Sequence, residues 1–109
     1  MKTIEEKNIM LAQFMGFEFE DGQERIFMQG LGSKLIDETF NESWDWLYPV
    51  LLKIKEIENV TDILINILTG YTTIEYDSEE VNTTFCSNSS VATYDVVVQF
   101  IEWYNQNQK

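Results

Sequence analysis

The chain has no histidine and few of the residues that supply catalytic chemistry. Without histidine, the usual general base near neutral pH is missing. Ser-His-Asp triads, Cys-His pairs and histidine-containing metal sites are therefore excluded. The sequence also contains neither a GxGxxG nor a GxxxxGK[ST] phosphate-binding motif. We predict that the protein is not an enzyme, uses no cofactor and has no catalytic or metal-ligating residues.

Cysteine is nearly absent too, and long apolar runs are missing. Cys86 is the only cysteine, so no internal disulfide can form, and its segment carries no cation that would activate the thiol. We expect this thiol to be buried or inert. No apolar run approaches the ~20 residues that cross a bilayer, and the first residues turn acidic where a signal peptide would be apolar. These features predict a cytoplasmic protein without membrane contact.

Basic residues are scarce. Seven lysines and arginines stand against 19 acidic residues, which gives a net charge of −12. Such a surface repels phosphates, and binding nucleic acid requires cations that displace counterions. Direct binding to nucleic acid is therefore disfavoured, and a basic protein partner is favoured. The alternative is that the charge only keeps the protein soluble.

The apolar content is sufficient for one core. The 109 residues include 44% hydrophobic and 14% aromatic residues, and this length is typical of one domain. We predict a single domain over residues 1–109 that needs neither a disulfide nor a metal.

Local patterns in the first 42 residues predict a helix followed by a hairpin. Thr3 and Glu6 match a capping box and Gly16 a C-terminal stop, so a helix is expected over residues 4–15. The segments 17–20 and 25–28 are expected to form a β-hairpin around Asp21-Gly22. Residues 30–42 are expected to form an ordered loop at best.

The stretch SWDWLYPV, residues 43–50, opens a second predicted helix that runs to about Ile57. Its core stripe is predicted to contain Trp44 and Leu47, followed by Leu51 and Ile54. Trp46 and Tyr48 lie off that stripe and are expected to lean outward. Pro49 is costly inside a helix, so either the helix begins near Pro49 or its first turn is kinked.

The last 50 residues are predicted to contain a hairpin and a final helix. Residues from Val60 onward have the two-residue period of a strand, and both faces are largely apolar, so this strand is expected to be central. Residues 72–76 are expected to pair with it. Residues 77–90 resemble a surface loop, and Ser89 or Ser90 is expected to cap the last helix. The apolar face of that helix is wide and includes Tyr94, Phe100 and Trp103. The predicted fold is α+β, with three helices packed on a small, mainly antiparallel sheet in the order α-β-β-α-β-β-α.

Carboxylates are the most abundant chemical groups. The cluster around residues 75–80 has oxygen ligands suited to Ca²⁺ or Mg²⁺, but the EF-hand spacing and its glycine are missing, so a solvated loop is favoured. Clustered carboxylates on a rigid scaffold can instead imitate a phosphate backbone. The predicted protein-binding residues combine acidic groups with aromatic anchors, which are equally compatible with a homodimer face. They are Glu18, Glu20, Asp21, Glu24, Asp37, Glu38, Glu42, Trp46, Tyr48, Glu75, Asp77, Glu79, Glu80 and Trp103.

Three segments are similar to a group of small phage and prophage proteins of Bacteroidota. They are IMLAQFMGFEFE, SWDWLYPVLLKIKEIE and YDVVVQFIEWYNQN, which together cover about two-fifths of the chain. The group resembles the α/β sandwich domains of phage proteins and has no established activity. The resemblance implies a phage origin, a bacterial host cell as the location, and action by binding, as in anti-CRISPR proteins.

The leading hypothesis is therefore a phage-encoded acidic protein that inhibits a host defence protein, such as a CRISPR effector. It would do so by occluding a basic nucleic-acid-binding surface. One alternative is a homo-oligomeric accessory phage protein without inhibitory role. Another is a binder of small nucleotide signals, which the sequence disfavours because few cations are available for phosphates. The main candidates for binding such phosphates are Arg25, Lys34, Lys53 and Lys55.

Overall fold

The structure is a computed structural model that describes residues 2–20, 22, 24–28, 30–66, 68–88 and 91–107. The chain divides into two compact units, Met1–Pro49 and Val50–Lys109. We call them the N-terminal unit and the C-terminal unit and describe each separately. The sequence-based assignment of residues 1–109 to a single domain stays a prediction.

The N-terminal unit contains one helix, one sheet and the beginning of a second helix. Helix α1 spans Ile4–Met15, and strands β1, β2 and β3 span Glu18–Glu20, Arg25–Met28 and Gly32–Leu35. The three strands form an antiparallel sheet in the order β1-β2-β3. A 3-10 helix follows at Ile36–Glu38, and helix α2 spans Trp44–Lys55.

Both ends of α1 are fixed by the predicted caps. The Thr3 side chain accepts a hydrogen bond from the Glu6 N–H, and the Glu6 carboxylate accepts one from the Thr3 N–H. Gly16 ends the helix with a left-handed backbone at φ 76°, a conformation that costs glycine little. The predicted boundaries of this helix are confirmed.

The prediction of a loop over residues 30–42 is wrong. Strand β3 and the 3-10 helix occupy residues 32–38, and Ile36 and Phe40 are buried. The buried Asn8 amide fastens this segment to α1, donating to the Ile36 carbonyl and to Asn41 Oδ1, both at 2.7 Å. A positive φ at Gly30 and at Gly32 shapes the tight turn into β3.

The C-terminal unit contains a second antiparallel sheet and the last helix. Strands β4, β5 and β6 span Val60–Ile65, Thr72–Asp77 and Asn82–Ser87, and helix α3 spans Ala92–Asn107. The strand order is β4-β5-β6, so β4 lies at an edge and the central strand is β5. The prediction that the strand beginning at Val60 is central is therefore wrong.

Strand β6 lies where a surface loop was predicted over residues 77–90. Its burial alternates between half-buried and exposed positions, as expected for a strand with one face in solvent. Because that outer face is threonine, asparagine and cysteine rather than charged, the segment lacked the usual apolar-polar contrast. The candidate caps Ser89 and Ser90 lie outside the described residues.

Helix α3 packs on β5 and β6 through a cluster of aromatic rings. Phe100 is fully buried, and its ring is 5.6 Å from Phe85 and 6.4 Å from Tyr76. The predicted wide apolar face is confirmed, because Tyr94, Val96, Val97, Val98, Phe100 and Ile101 are all buried. The α+β class is also confirmed, with two three-stranded sheets and the order α-β-β-β-α-β-β-β-α.

Candidate functional site

The predicted acidic residues of the N-terminal unit are exposed wherever they are described. Asp21 and the side chain of Glu20 lie outside the described part of the chain. A backbone hydrogen bond joins the segments that carry Glu24 and Asp37, because the Ile36 N–H donates to the Glu24 carbonyl at 2.8 Å. Arg25 and Lys34 lie on the same sheet, so positive charge is interspersed here. The exposed acidic residues are Glu18, Glu24, Asp37, Glu38 and Glu42.

The C-terminal unit concentrates negative charge on one face of its sheet. Asp62 of β4 lies directly opposite Glu75 of β5, and Asp77 follows two residues later on the same face. All three are exposed, as are Glu79 and Glu80 in the turn that leads to β6. We call these five residues the acidic face. The opposite face of the sheet carries Ile74, Tyr76 and Phe85, toward α3.

No basic residue accompanies the acidic face. Lysine and arginine are absent from residues 56–108, which contain nine acidic residues. The described carboxylates among the predicted binding residues form no ion pair with a described residue. The acidic face therefore has no oppositely charged residue in the stretch of chain that forms its sheet.

The turn that carries Glu79 and Glu80 is held by hydrogen bonds. The Ser78 N–H donates to the Val81 carbonyl at 2.8 Å, and the Val81 N–H donates to Ser78 Oγ at 3.1 Å. The Asn82 amide, assigned with its nitrogen toward the acceptors, donates to the Asp77 carboxylate. A rigid turn fixes where its two carboxylates lie, so less conformational entropy is lost when a partner binds.

An open cleft of about 290 Å³ lies at this end of the sheet and is lined by residues of all three strands. The lining includes Glu75, Asp77 and Asn82, together with threonines, and contains no cation. A nucleotide phosphate has no positive partner in this cleft. Within the described residues, no group of three or more potential metal ligands comes together.

Two tryptophans in the SWDWLYPV stretch have the reverse of their predicted positions. Trp46 is 2% exposed and packs edge-on against Phe17 and Phe40 at 6.0 and 5.9 Å. Trp44, predicted to be core, is 51% exposed. The buried stripe is rotated toward Val50, which lies four residues after Trp46 and four before Ile54. The prediction that Trp46 leans outward and binds a partner is therefore wrong, because its ring is buried.

The other two aromatic candidates differ in exposure. Tyr48 is 47% exposed, as predicted, and its ring lies 5.5 Å from Trp44 at a tilt of 36°. Trp103 is half-buried, with its ring 4.9 Å from Tyr76 and 5.5 Å from Phe85. Trp103 thus belongs mainly to the core of the C-terminal unit. Trp44 and Tyr48 form the exposed aromatic pair.

Cys86 is exposed rather than buried, because it lies on the solvent side of the edge strand β6. Its neighbour is the phenol of Tyr71, and the charge of a Cys86 thiolate raises the pKa of Tyr71. A phenol does not stabilise a thiolate as a cation would.

Comparison of the chain with protein-family models, curated proteins and solved structures found no match. The resemblance to phage proteins of Bacteroidota therefore stays a prediction. None of the helices in the described ranges has the length and apolarity required to cross a bilayer.

Sequence reasoning missed Asp62 and Trp44. Asp62 was overlooked because it lies alone in an apolar strand, and only the pairing register places it beside Glu75. A signal was available in the charge distribution, since a stretch without cations marks residues 56–108. For Trp44 the helical period was correct, but periodicity does not determine the centre of a stripe.

Proposed function

We propose that this chain is a phage-encoded acidic binding protein that inhibits a host defence protein by occluding its nucleic-acid-binding surface. The acidic face carries the proposal, because five exposed carboxylates lie on a hydrogen-bonded sheet and turn within residues 56–108, a stretch that contains no lysine or arginine. A CRISPR effector is the class of target to which the resemblance points. The protein would act in the cytoplasm of the bacterial host.

The spacing of the acidic face favours a joint action of its charges. Directly opposed residues of an antiparallel pair have Cβ atoms about 5 Å apart, and residues two apart along a strand are separated by roughly 7 Å. Both distances are shorter than the Debye length of about 8 Å at physiological salt. The potentials of Asp62, Glu75 and Asp77 therefore add where a partner approaches.

Occlusion then follows from complementarity. A channel that binds a phosphate backbone is lined by lysine and arginine, and these side chains would pair with the carboxylates of the acidic face. Attraction between the opposite charges accelerates association at low salt. The bound inhibitor fills the channel and excludes the nucleic acid.

The test begins with capture of host proteins on the immobilised chain at low and high salt. Captured proteins are identified by mass spectrometry, purified and assayed for binding to a labelled duplex or guide RNA. We expect basic nucleic-acid-binding proteins whose capture falls steeply with salt, and release of the nucleic acid when the chain is added.

Two charge-matched variants locate the surface. The first replaces the acidic face through Asp62→Asn, Glu75→Gln, Asp77→Asn, Glu79→Gln and Glu80→Gln. The second replaces five carboxylates of the N-terminal unit through Glu18→Gln, Glu24→Gln, Asp37→Asn, Glu38→Gln and Glu42→Gln. We expect the first to abolish competition with nucleic acid and the second to weaken it only modestly. Capture of proteins that are not basic, or capture indifferent to salt, would contradict the proposal.

A further inference from the structure

The exposed aromatic pair at the start of α2 has no partner in the part of the chain that the structure describes, apart from the contact between its two rings. Trp44 and Tyr48 are 51% and 47% exposed, and no described lysine or arginine lies against either ring. Their exposure is the largest among the described aromatic residues, since the next most exposed, Phe27 and Tyr71, are both 39% exposed. Two large rings left in solvent, four residues apart on a helix, therefore call for a physical explanation.

A carboxylate lies on the same helical surface. Asp45 is exposed and lies three residues before Tyr48, and Trp44 lies four residues before it. The Tyr48 side chain is therefore a neighbour of both on the helix surface. Glu42 is also exposed, in the turn before α2. Neither carboxylate pairs with a described cation. An aromatic platform with carboxylates at its border is thus present on one turn of helix.

We propose that Trp44, Asp45 and Tyr48 form a docking site for an arginine side chain of a partner protein. A guanidinium stacks on an aromatic face while its N–H groups bind a carboxylate, which a compact ammonium does less well. The site rests on the proposed function in one respect, namely that the partner is basic. It adds that recognition involves arginine stacking as well as overall charge.

Charge and composition favour an arginine of a basic partner over two other occupants, an apolar segment and a second copy of this chain. An apolar segment would cover the rings but would desolvate Asp45 without compensation. A second copy of this chain carries the same net charge of −12 and has a single arginine, Arg25. That guanidinium is already engaged, because its Nε donates to Ser33 Oγ at 3.1 Å and another N–H to the Ser33 carbonyl at 3.3 Å.

The experiment titrates the purified full chain with three short capped peptides that differ at one residue type, arginine, lysine or citrulline. The indole N–H resonances of the three tryptophans are followed by NMR, and Trp44→Phe assigns the Trp44 signal. We expect the arginine peptide to shift the Trp44 resonance and to bind about threefold more tightly than the lysine peptide. The uncharged citrulline peptide should not bind measurably.

Variants then test each part of the site. Trp44→Ala, Tyr48→Ala and Asp45→Asn should each weaken the arginine peptide about three- to fivefold. Leu31→Ala, which changes another exposed apolar residue of the N-terminal unit, should leave the affinity unchanged. Circular dichroism checks that each variant is folded.

The outcomes separate this site from the proposed function. If the arginine peptide binds the Trp44→Ala/Tyr48→Ala double variant as tightly as the parent chain, or if lysine equals arginine, the docking site is wrong. Capture of a basic host protein can still succeed in that case, through the acidic face. Conversely, failure of the capture experiment together with a selective shift of Trp44 would overturn the inhibitory function and leave the docking site in place.

Discussion

The two three-stranded sheets of this chain have the same topology but opposite arrangements of charge. In the first sheet, the backbone register pairs the position of Glu20 with that of Arg25, an acidic with a basic residue type. In the second sheet, Asp62 lies opposite Glu75, so two acidic residues face each other. Like charges at directly opposed positions destabilise a sheet by some tenths of a kcal/mol or more. The second sheet thus has an arrangement that does not serve its own stability.

The difference is local, because the two units carry equal net charge. Residues 1–49 contain ten acidic and four basic residues, and residues 50–109 contain nine and three, so each has a net charge of −6. In the N-terminal unit, cations are interspersed among the acids. In the C-terminal unit, residues 56–108 contain no lysine or arginine, and the described cations Lys53 and Lys55 lie on α2 rather than in the sheet. Distribution, rather than total charge, distinguishes the acidic face.

The largest expected effects test whether the two cores are equivalent. Trp46→Ala and Phe100→Ala each remove a fully packed ring, and each should lower the free energy of unfolding by about 3–5 kcal/mol. Trp44→Ala, two residues from Trp46, should cost less than about 0.5 kcal/mol because its ring is exposed. Urea unfolding measures all three. A much smaller loss for Phe100→Ala would mean that the units differ in packing as well as in charge.

The sequence predicted those parts of the fold in which each local pattern has one interpretation. The capping box and Gly16 specify α1, and alternation specifies β4 and its partner β5. Strands β3 and β6 were missed because glycines and threonines carry little apolar contrast. Their pairing depends on tertiary contacts that no local window contains.

The candidate site was predictable in composition but not in arrangement. Exposed carboxylates follow from the net charge. The exposure of Tyr48 was predicted, but from a stripe that also placed Trp44 in the core, where the structure has it exposed. The position of Asp62 opposite Glu75 can be predicted only when the strand register is known, because a shift of one residue would place the two side chains on opposite faces of the sheet. A correct prediction of the exposures of Trp44 and Trp46 requires knowledge of which side of α2 packs against a core.

A second prediction removes the cation that balances the first sheet. Arg25→Met eliminates both hydrogen bonds to Ser33, and should lower the free energy of unfolding by about 1–2 kcal/mol. Lys34→Met in the neighbouring strand is the control, because Lys34 makes only a long contact of 3.5 Å to the Glu38 carbonyl. Equal effects of the two changes in urea unfolding would show that net charge, and not the position of Arg25, stabilises the sheet.

A third prediction concerns an acidic residue that does serve stability. Hydrogen bonds from Thr3 lower the pKa of Glu6 from its ordinary value of 4.5. A lowered pKa in the folded state means that the ionised carboxylate stabilises α1 above pH 4.5, and that this contribution is lost as the pH falls through and below that value. Thr3→Ala should cost about 1 kcal/mol at neutral pH.

The pH dependence separates the hydrogen bond from simple charge. The difference in unfolding free energy between the parent chain and Glu6→Gln should shrink as the pH falls from 7 toward about 3. Glu5→Gln, in the same first turn, removes a charge without removing the capping hydrogen bond. If both glutamine variants show the same pH profile in urea unfolding, the capping box is not the source of the dependence.

The smallest expected effect is the most direct test of the comparison between the sheets. Glu75→Gln removes one of the two opposed charges and should raise the free energy of unfolding by about 0.2–1 kcal/mol at low salt. The gain should diminish as added salt screens the repulsion. Glu79→Gln removes a charge from the adjacent turn, where no strand residue faces it, and should change stability less.

Asp62→Asn combined with Glu75→Gln should give less than the sum of the two single gains, because either change alone relieves the same repulsion. Additive gains would show that Asp62 and Glu75 do not interact. The same variants should bind a basic partner more weakly. A gain in stability together with a loss of binding would indicate that the opposed carboxylates serve recognition rather than stability.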